Sequence, residues 1–322
     1  MSTPSVAILL AVYNPKIEWL VELLQSLNAQ THKNLHLYVR NDASTSLTVA
    51  ELGEILAREI TAFPFTLRSN EQNLGSNETF ARLTADAQNE DFVSYCDQDD
   101  VWLPGKVENT LRLFLESALS PRLVCTNVKV IDGDGHLLAE RIEEHRRRHI
   151  LLRGKDLEKE LIYRNFVIGC TAMLRREDAV RYLPFPPMAA AVHDHYLAFC
   201  AACEGAIEVL DEPQMLYRVY GGNQTGVLSG VKTKEDYFLH RIEGFRRRIE
   251  CFATVSTSPA LTDAEKWCRA REANFRREKG SFRTLWRLKN HDRKASLLEL
   301  LLLRLPTPLF RLVIRQIQKG RI

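Results

Sequence analysis

Three carboxylates lie within four residues in the segment Asp97-Gln98-Asp99-Asp100. Like charges this close repel one another, so the cluster is unfavourable unless a cation neutralises it. Mg²⁺ and Mn²⁺ prefer oxygen ligands and usually take one or two carboxylates together with substrate phosphates. The segment therefore indicates a site where a divalent metal joins the protein to a nucleotide diphosphate. Taken alone, it is equally compatible with a solvated turn or with a cap for the helix near Lys106.

Polar side chains also follow three other predicted strands. Tyr13-Asn14 follows the first strand, Asn41-Asp42-Ala43-Ser44-Thr45 follows the second, and Asn73-Leu74-Gly75 comes shortly after the third. In an open α/β sheet, ligands bind beyond the carboxyl ends of the strands. Four polar loops along one sheet edge therefore predict a binding crevice there.

The elements that must position these loops alternate between strand and helix. Apolar runs and helical spacing predict strands at 6–12, 35–39, 65–67, 92–96 and 123–131, with helices at 17–27, 47–62, 77–87 and 106–117 between them. Repeated βαβ units predict an α/β fold with a doubly wound sheet. Further along, the pattern predicts strands at 167–174 and 207–210 and helices at 193–203, 234–254, 262–278 and 295–317.

Two common nucleotide-binding classes lose most of their support. No G-x-G-x-x-G follows the first strand, and no G-x-x-x-x-G-K-[ST] occurs in the sequence. Those glycine-rich loops hold the phosphates in Rossmann dehydrogenases and P-loop NTPases.

The charge of the chain is divided unevenly. Residues 232–322 contain 22 basic and 10 acidic side chains, a net +12, and residues 1–231 contain 22 and 31, a net −9. A basic segment of this kind often binds an anionic partner such as nucleic acid or a membrane surface. In the tail the basic residues alternate with leucines rather than with aromatic residues that stack on bases, so no nucleic-acid partner is expected.

The sequence also indicates the cellular compartment of the protein. The first apolar stretch has no basic region before it, and no apolar run approaches the roughly 18 residues of a membrane span. Seven scattered cysteines suit reduced thiols, and Cys200-x-x-Cys203 lacks a second pair to complete a zinc site. We therefore expect a cytoplasmic protein, peripheral on the inner face of the cytoplasmic membrane if the basic tail docks there.

Over about residues 5–226 the sequence resembles the bacterial family 2 glycosyltransferases with the GT-A fold, particularly their rhamnosyltransferase-like branch. The motifs that support the resemblance follow the family's order: Val12-Tyr13-Asn14, Asn41 to Thr45, Asn73-Leu74-Gly75, Asp97 to Lys106, Gly169-Cys170-Thr171, His193-Asp194 and Tyr217-Arg218-x-Tyr220-x-x-Asn223. The resemblance implies a GT-A fold, a doubly wound mixed sheet with a C-terminal helical extension.

For the donor side the resemblance implies a specific set of contacts. Tyr13 and Asp42 would contact the base and ribose, and Asp100 would help position the sugar. The metal, Mg²⁺ or Mn²⁺, would be bound by Asp99 and Asp97. The full donor-binding set is Tyr13, Asn14, Asp42, Asn73, Gly75, Asp97, Asp100 and Arg218.

For the acceptor side it implies Gly169, Cys170, Thr171, His193 and His195, with Asp194 as the catalytic base. An inverting transfer needs one carboxylate that takes the proton from the attacking hydroxyl. From the residues alone, Asp194 could equally interact with a helix N-terminus.

The sequence departs from the family pattern at three positions. Asn41 replaces an acidic residue of the nucleotide loop, and His195 replaces a frequent Trp. Tyr220 replaces a frequent His, and a tyrosine hydroxyl is a poorer metal ligand, so the third protein ligand is open. Arg218 could contact phosphate groups, whereas Arg146 to Arg148 more readily form a solvated charged loop.

The implied function is inverting transfer of a sugar, rhamnose in this branch, from a dTDP- or UDP-linked donor to a saccharide hydroxyl. A lipid-linked surface polysaccharide such as O-antigen or capsule is the expected acceptor. Residues 1–231 form the predicted catalytic domain, and the basic helical region 232–322 would dock on an anionic membrane or form a homo-oligomer. The alternatives are another nucleotide-diphosphate enzyme, such as a nucleotidyltransferase, and a non-enzymatic binding module with a basic tail.

Overall fold

The computed structural model describes residues 3–146, 149–220, 228 and 230–318. The chain divides into two compact units. Unit 1 contains most of the described residues up to Tyr220, and unit 2 contains those after it together with the short pieces Ile162–Arg164 and Ala189–Ala191.

Unit 1 is built on a mixed sheet. Its strands are β1 Val6–Val12, β2 Leu35–Asn41, β3 Phe65–Ser69, β4 Phe92–Cys96, β5 Val101–Trp102, β6 Leu123–Ile131, β7 Leu137–Ala139, β8 Met173–Arg175 and β9 Ile207–Arg218. Their order is β3-β2-β1-β4-β8-β6-β9-β5, and β7 pairs with β6. The pairs β3-β2, β2-β1, β1-β4 and β6-β9 are parallel, whereas β8 and β5 run antiparallel to their neighbours.

The helices of unit 1 are α1 Ile17–Asn28, α2 Val49–Glu59, α3 Gly75–Asp86, α4 Lys106–Glu116, α5 Ile142–His145, α7 Arg176–Arg181 and α8 His193–Glu204, whereas α6 Glu158–Tyr163 includes residues assigned to each unit. Leucines of α1 at helical spacing pack into the core with β1, which is almost entirely buried. The first turn of α2 is fixed by a capping box between Thr48 and Glu51.

The strand order reverses between β1 and β4. Strands β2 and β3 lie on one side of β1, and the chain then returns to place β4 on its other side. A crevice forms at such a reversal, outside the carboxyl ends of the two strands. Those ends carry Tyr13 and Asp97, so the fold places the predicted loops where a ligand is expected.

Two sequence predictions in unit 1 were incomplete. The predicted strand 167–174 is a 3₁₀ turn at Gly169–Thr171 followed by β8, because Thr171 bonds back to the carbonyl of Ile168. The predicted strand 207–210 extends to Arg218 as β9, which follows β6 through two irregularities in register. The short strand β5 was not predicted.

Unit 2 is helical. Its helices are α9 Lys234–Tyr237, α10 Gly244–Phe252, α11 Pro259–Phe275, α12 Ser281–Arg287, α13 Arg293–Leu302 and α14 Thr307–Gln318, with a π-helical turn at Phe238–Glu243 between α9 and α10. The predicted helix 295–317 is two helices, since Pro306 prevents continuation.

Part of the tail's leucine-rich sequence is used inside unit 2. Leu302, Phe310 and Ile314 are buried in its core. The carboxylate of Glu299 is also buried, paired with Arg271 and bonded by Tyr237. In the described part of the chain, no helix has the length and apolar character that spanning a membrane requires.

Candidate active site

The loops after β1 and β2 are tied together by Asn14. Its side-chain oxygen accepts hydrogen bonds from the backbone N–H groups of Thr45, at 2.8 Å, and Ser46, at 3.1 Å. Asn14 itself has φ of 43°, a left-handed conformation that Asn tolerates better than most residues. The predicted donor residue Asn14 therefore shapes the crevice through the second loop.

Gln98 fixes the acidic loop to the end of β1. Its side-chain amide accepts from the Tyr13 N–H at 2.9 Å and donates to the Tyr13 carbonyl at 3.0 Å. The Tyr13 side chain is left 43% exposed. The sequence pattern predicted no role for Gln98, although this residue lies between Asp97 and Asp99.

Asp42 shapes the loop that begins α3. Its carboxylate accepts from the backbone N–H of Leu74 at 2.8 Å and of Gly75 at 3.0 Å. Gly75 has φ of 78°, which glycine adopts without strain, and its N–H is shared with the side chain of Asn73. Asp42 is itself buried, so its carboxylate is engaged within the protein.

The three carboxyl groups of the acidic loop are hard to ionise. Burial, with repulsion from Asp99 and Asp194, raises the pKa of Asp97 to about 7. Burial also raises the pKa of Asp99, and burial with repulsion from both neighbours raises that of Asp100 well above its usual range. The loop therefore resists carrying three negative charges unless a cation compensates them.

Two residues at and just beyond the C-terminal end of β9, Arg218 and Tyr220, hold the acidic loop in place. The Arg218 N–H donates to the Asp100 carboxylate at 2.9 Å, and its guanidinium donates to the Asp99 carbonyl at 2.9 Å and to Glu22 at 2.5 Å. Tyr220 donates a hydrogen bond to Asp99, which favours the ionised carboxylate. Arg218 is 2% exposed, so this predicted donor contact has its guanidinium engaged within the protein.

Lys106 is a buried cation that the sequence analysis did not assign to the site. Its ammonium lies 3.4 Å from the centroid of the Trp102 ring, and its charge interacts with Asp100 and Cys170. Burial lowers its pKa to about 8. The signal was present in the sequence, since Lys106 shares helical spacing with Thr110 and Phe114, which are also buried.

Asp194 occupies the first turn of α8 on the other side of the crevice. Its carboxylate accepts from the N–H of His195 at 2.6 Å and of Gly169 at 3.2 Å. Burial nevertheless raises its pKa to about 6. Its electrostatic interaction with Asp97 links the predicted acceptor and donor sides.

The remaining residues of the predicted acceptor side separate into two groups. Cys170 lies with Asp97 and Asp100. In contrast, the ring of His195 contacts the Leu161 carbonyl at 2.5 Å, and the Thr171 hydroxyl donates to the Ile168 carbonyl. Both side chains therefore bond to the backbone of unit 1.

His193 is neutral and fixed by an unpredicted partner. Burial lowers its pKa to about 3, and its ring centroid lies 4.4 Å from that of Phe80. Asn77 accepts from the His193 N–H at 2.9 Å and donates to the Pro186 carbonyl at 2.7 Å. Asn77 thereby holds the start of α8, which carries Asp194.

The acidic loop has the donor atoms that a hard divalent cation prefers. Ligand atoms of Asp97, Asp100 and Cys170 lie within 4.8 Å of one another, whereas the predicted pair was Asp97 and Asp99. A thiol is a poor ligand for Mg²⁺ or Mn²⁺, but carboxylates suit both ions. Within the described residues, the buried Oδ2 atom of Asp100 has no hydrogen-bond partner, so the residues fit a cation.

Of the basic segment Arg146 to Arg148, the structure describes Arg146. The Arg146 guanidinium lies 5.6 Å from the centroid of the Tyr217 ring. Arg147, Arg148 and Asn223 lie outside the described residues.

Comparison of the sequence with known proteins gives a consistent result. The model of the family described as "Glycosyl transferase family 2" matches residues 7–183. The dTDP-rhamnosyl transferase RfbG of Shigella flexneri is 23% identical over 235 residues, covering 70% of this chain and 76% of that protein. An uncharacterized glycosyltransferase of Nostoc sp. is 22% identical over 291 residues, covering 88% of this chain and 85% of that protein.

Solved structures with a similar fold include TarS and a mannosyltransferase. S. aureus TarS 1-349, in complex with UDP-GlcNAc, has a TM-score of 0.61 at 16% identity, covering 98% of this chain and 92% of that chain. The mannosyltransferase PcManGT from Pyrobaculum calidifontis, in complex with GDP-Man and Mn²⁺, has a TM-score of 0.56 at 15% identity, covering 98% and 85%. At these identities the likeness shows the fold alone.

The contacts of Arg218 predict that it stabilises the fold. Arg218→Met removes donors from several buried oxygens, so the free energy of unfolding should fall by about 2–4 kcal/mol in a urea titration. As a control, Arg82→Met removes an exposed pair with Glu78 and should change it by no more than about 0.5 kcal/mol. If Arg218→Met unfolds like the unmodified protein and loses only nucleotide binding, the stabilising role is wrong.

Proposed function

The chain belongs to glycosyl transferase family 2, and we propose that it transfers a sugar with inversion from a nucleoside diphosphate to a saccharide hydroxyl. It has the GT-A fold and is a glycosyltransferase of the nucleotide-sugar-dependent kind. The observation that carries the finer proposal is that Asp194 accepts a hydrogen bond from the Gly169 N–H, while the next residue, Cys170, lies with Asp97 and Asp100. The carboxylates of Asp97 and Asp194 would lie on either side of the reacting sugar.

The nucleotide is proposed to bind over the ends of β1 and β2. Tyr13 offers an exposed aromatic side chain to the base, while Asn14 and Asp42 hold the surrounding loops through backbone hydrogen bonds. The relative from Shigella is named as a dTDP-rhamnosyl transferase, which supports dTDP-rhamnose as the first donor to test. UDP-sugars are the second choice, because TarS is seen with UDP-GlcNAc.

A divalent cation is proposed to be held by Asp97 together with Asp99, the pair that the family resemblance implies, or together with Asp100, whose carboxylate lies with that of Asp97. When bound, Mg²⁺ or Mn²⁺ would neutralise the negative charge that develops on the departing diphosphate. PcManGT, which shares the fold, is seen with Mn²⁺. In this chain Tyr220 orients the Asp99 carboxylate by a hydrogen bond. Tyr220 thus positions a proposed metal ligand, whether or not its own hydroxyl binds the metal.

Asp194 is proposed to be the catalytic base. Backbone N–H groups of Gly169 and His195 orient its carboxylate, and the raised pKa makes it a better proton acceptor than an ordinary aspartate. The acceptor hydroxyl would give its proton to Asp194 while its oxygen bonds to the anomeric carbon and the diphosphate leaves. Since the hydroxyl attacks from the side opposite the diphosphate, the anomeric configuration inverts.

The acceptor is proposed to be a growing surface polysaccharide carried on a lipid, such as O-antigen or capsule. This rests on the resemblance to the rhamnosyltransferase-like branch and on the basic C-terminal region, proposed here to be a separate functional region over 232–322. A lipid-linked acceptor would bring the protein to the inner face of the cytoplasmic membrane.

Asp194→Asn should lower the transfer rate by about 10²–10⁴-fold, because the amide cannot accept the proton. Donor binding should be retained. The wild-type rate should fall about tenfold per pH unit below pH 6, since the base must be ionised to act. Release of nucleoside diphosphate in the presence of acceptor measures both effects. Asp263→Asn, exposed in unit 2, is the control; equal rates in the two variants would exclude Asp194 as the base.

Gly169→Ala should reduce transfer by disturbing Asp194. An added Cβ would lie 3.2 Å from the Asp194 Cβ and 3.2 Å from the His193 Nε2, so Asp194 or His193 must shift by a few tenths of an ångström. A misplacement of about 1 Å can lower a rate by about 10²-fold, so this smaller shift should lower it roughly threefold to tenfold. Gly53→Ala, whose Cβ has ordinary contact at 3.6 Å in α2, should keep full activity. Wild-type kcat in the Gly169 variant would contradict the proposed geometry.

Asp99→Asn should weaken metal-dependent transfer by about 10²-fold or more, because a neutral amide is a poorer ligand for a hard cation. The concentration of Mn²⁺ needed for half-maximal rate should rise in a titration after removal of metal with EDTA. Asn89→Ala, which changes an exposed residue before β4, should titrate like wild type. An unchanged Mn²⁺ requirement in Asp99→Asn would remove Asp99 from the metal site.

A further inference from the structure

Helix α12 exposes two aromatic side chains on one face. Phe282 is 44% and Trp286 47% exposed, one helical turn apart, and with Arg283 and Arg287 they line one groove. The opposite face is buried through Leu285. Large aromatic side chains exposed together on a surface mark an interaction site more often than single ones do.

The segment 276–294 around this pair is strongly basic. It contains eight basic residues, Arg276, Arg277, Lys279, Arg283, Arg287, Lys289, Arg293 and Lys294, and two acidic residues, Glu278 and Asp292. In the part of the chain that the structure describes, none of the eight forms an ion pair, whereas Arg246, Arg247 and Arg269 of the same unit all do. The positive charge is therefore uncompensated around the exposed rings.

The two rings carry cations over their faces. The Lys289 Nζ lies 4.6 Å from the Trp286 centroid, and the Arg304 guanidinium lies 4.8 Å from that of Phe282. A nucleic-acid base needs an open ring face for stacking. At a bilayer surface, by contrast, the rings insert at headgroup depth while neighbouring Lys and Arg bind lipid phosphates. The arrangement therefore favours anionic lipid over nucleic acid.

We propose that residues 276–294, with Phe282 and Trp286 at their centre, dock this protein on an anionic lipid bilayer. This places the membrane contact N-terminal to the leucine-rich helices α13 and α14, whose Leu302, Phe310 and Ile314 are buried in the core of unit 2. The proposal deepens the proposed function by fitting a lipid-linked acceptor, but lipid binding itself requires no turnover.

Co-sedimentation with lipid vesicles tests the proposal. The full chain should bind phosphatidylcholine vesicles containing about 30% phosphatidylglycerol, and binding should weaken at high salt, because exposed charges are screened. Phe282→Ser/Trp286→Ser and Arg283→Glu/Arg287→Glu should each lower the partition coefficient at least about tenfold. All four side chains are exposed, so both variants should keep the unfolding midpoint of the wild type.

Matched substitutions in unit 1 provide the controls. Leu137→Ser/Leu138→Ser removes two residues that are each 50% exposed, and Arg58→Glu/Arg82→Glu makes the same change of charge. Both should bind vesicles like wild type. Equal loss in variants and controls, equal binding to pure phosphatidylcholine, or displacement of vesicles by a single-stranded oligonucleotide would overturn the proposal.

A soluble saccharide acceptor separates this proposal from the proposed function. The α12 variants should transfer sugar to it at the wild-type rate, and the vesicle assay gives its result whether or not any transfer occurs. Loss of transfer to the soluble acceptor in the α12 variants would assign these residues to the catalytic unit and contradict a role confined to docking.

Discussion

The burial of three carboxyl groups in the loop after β4 is the constraint on which the site depends. Asp97, Asp99 and Asp100 resist ionisation because burial removes water, and neighbouring carboxylates add repulsion at Asp97 and Asp100. The surrounding fold offsets this by directing donors at the loop, from the Arg218 backbone and from the Tyr220 hydroxyl. A divalent cation bound with a diphosphate would complete that compensation.

The same constraint explains why so many polar residues near the crevice bond to the protein itself. A loop that carries repelling charges must be held from several directions, or it would move outward into water. Gln98 holds it to β1, and Arg218 connects it to α1 through Glu22. On the acceptor side, Gly169 and Asn77 fix the start of α8 in the same way. Several residues whose types suggest contact with a ligand therefore bond to neighbouring residues of the protein and hold them in position.

The sequence predicted the strands β1, β4 and β6 to the residue. For β1 the reason is that a buried strand with parallel neighbours is a continuous apolar run. The sequence could not predict β5, whose two residues are ordered by pairing with β9 far along the chain. Arg218 illustrates the same limit in the site. Its burial and partners depend on tertiary contacts, so its residue type suggested phosphate instead. The leucines of the tail likewise matched a helix that docks on a membrane surface, although several pack inside unit 2.

Calorimetric titration of dTDP and UDP into the full chain, in EDTA and in MnCl₂, tests whether the acidic loop binds a diphosphate through a cation. We expect one nucleoside diphosphate bound per chain, at least about tenfold more tightly with Mn²⁺, because the acidic loop repels a diphosphate without a cation. Equal affinity in EDTA and in MnCl₂ would contradict this expectation. So would the failure of both nucleotides to bind in either solution.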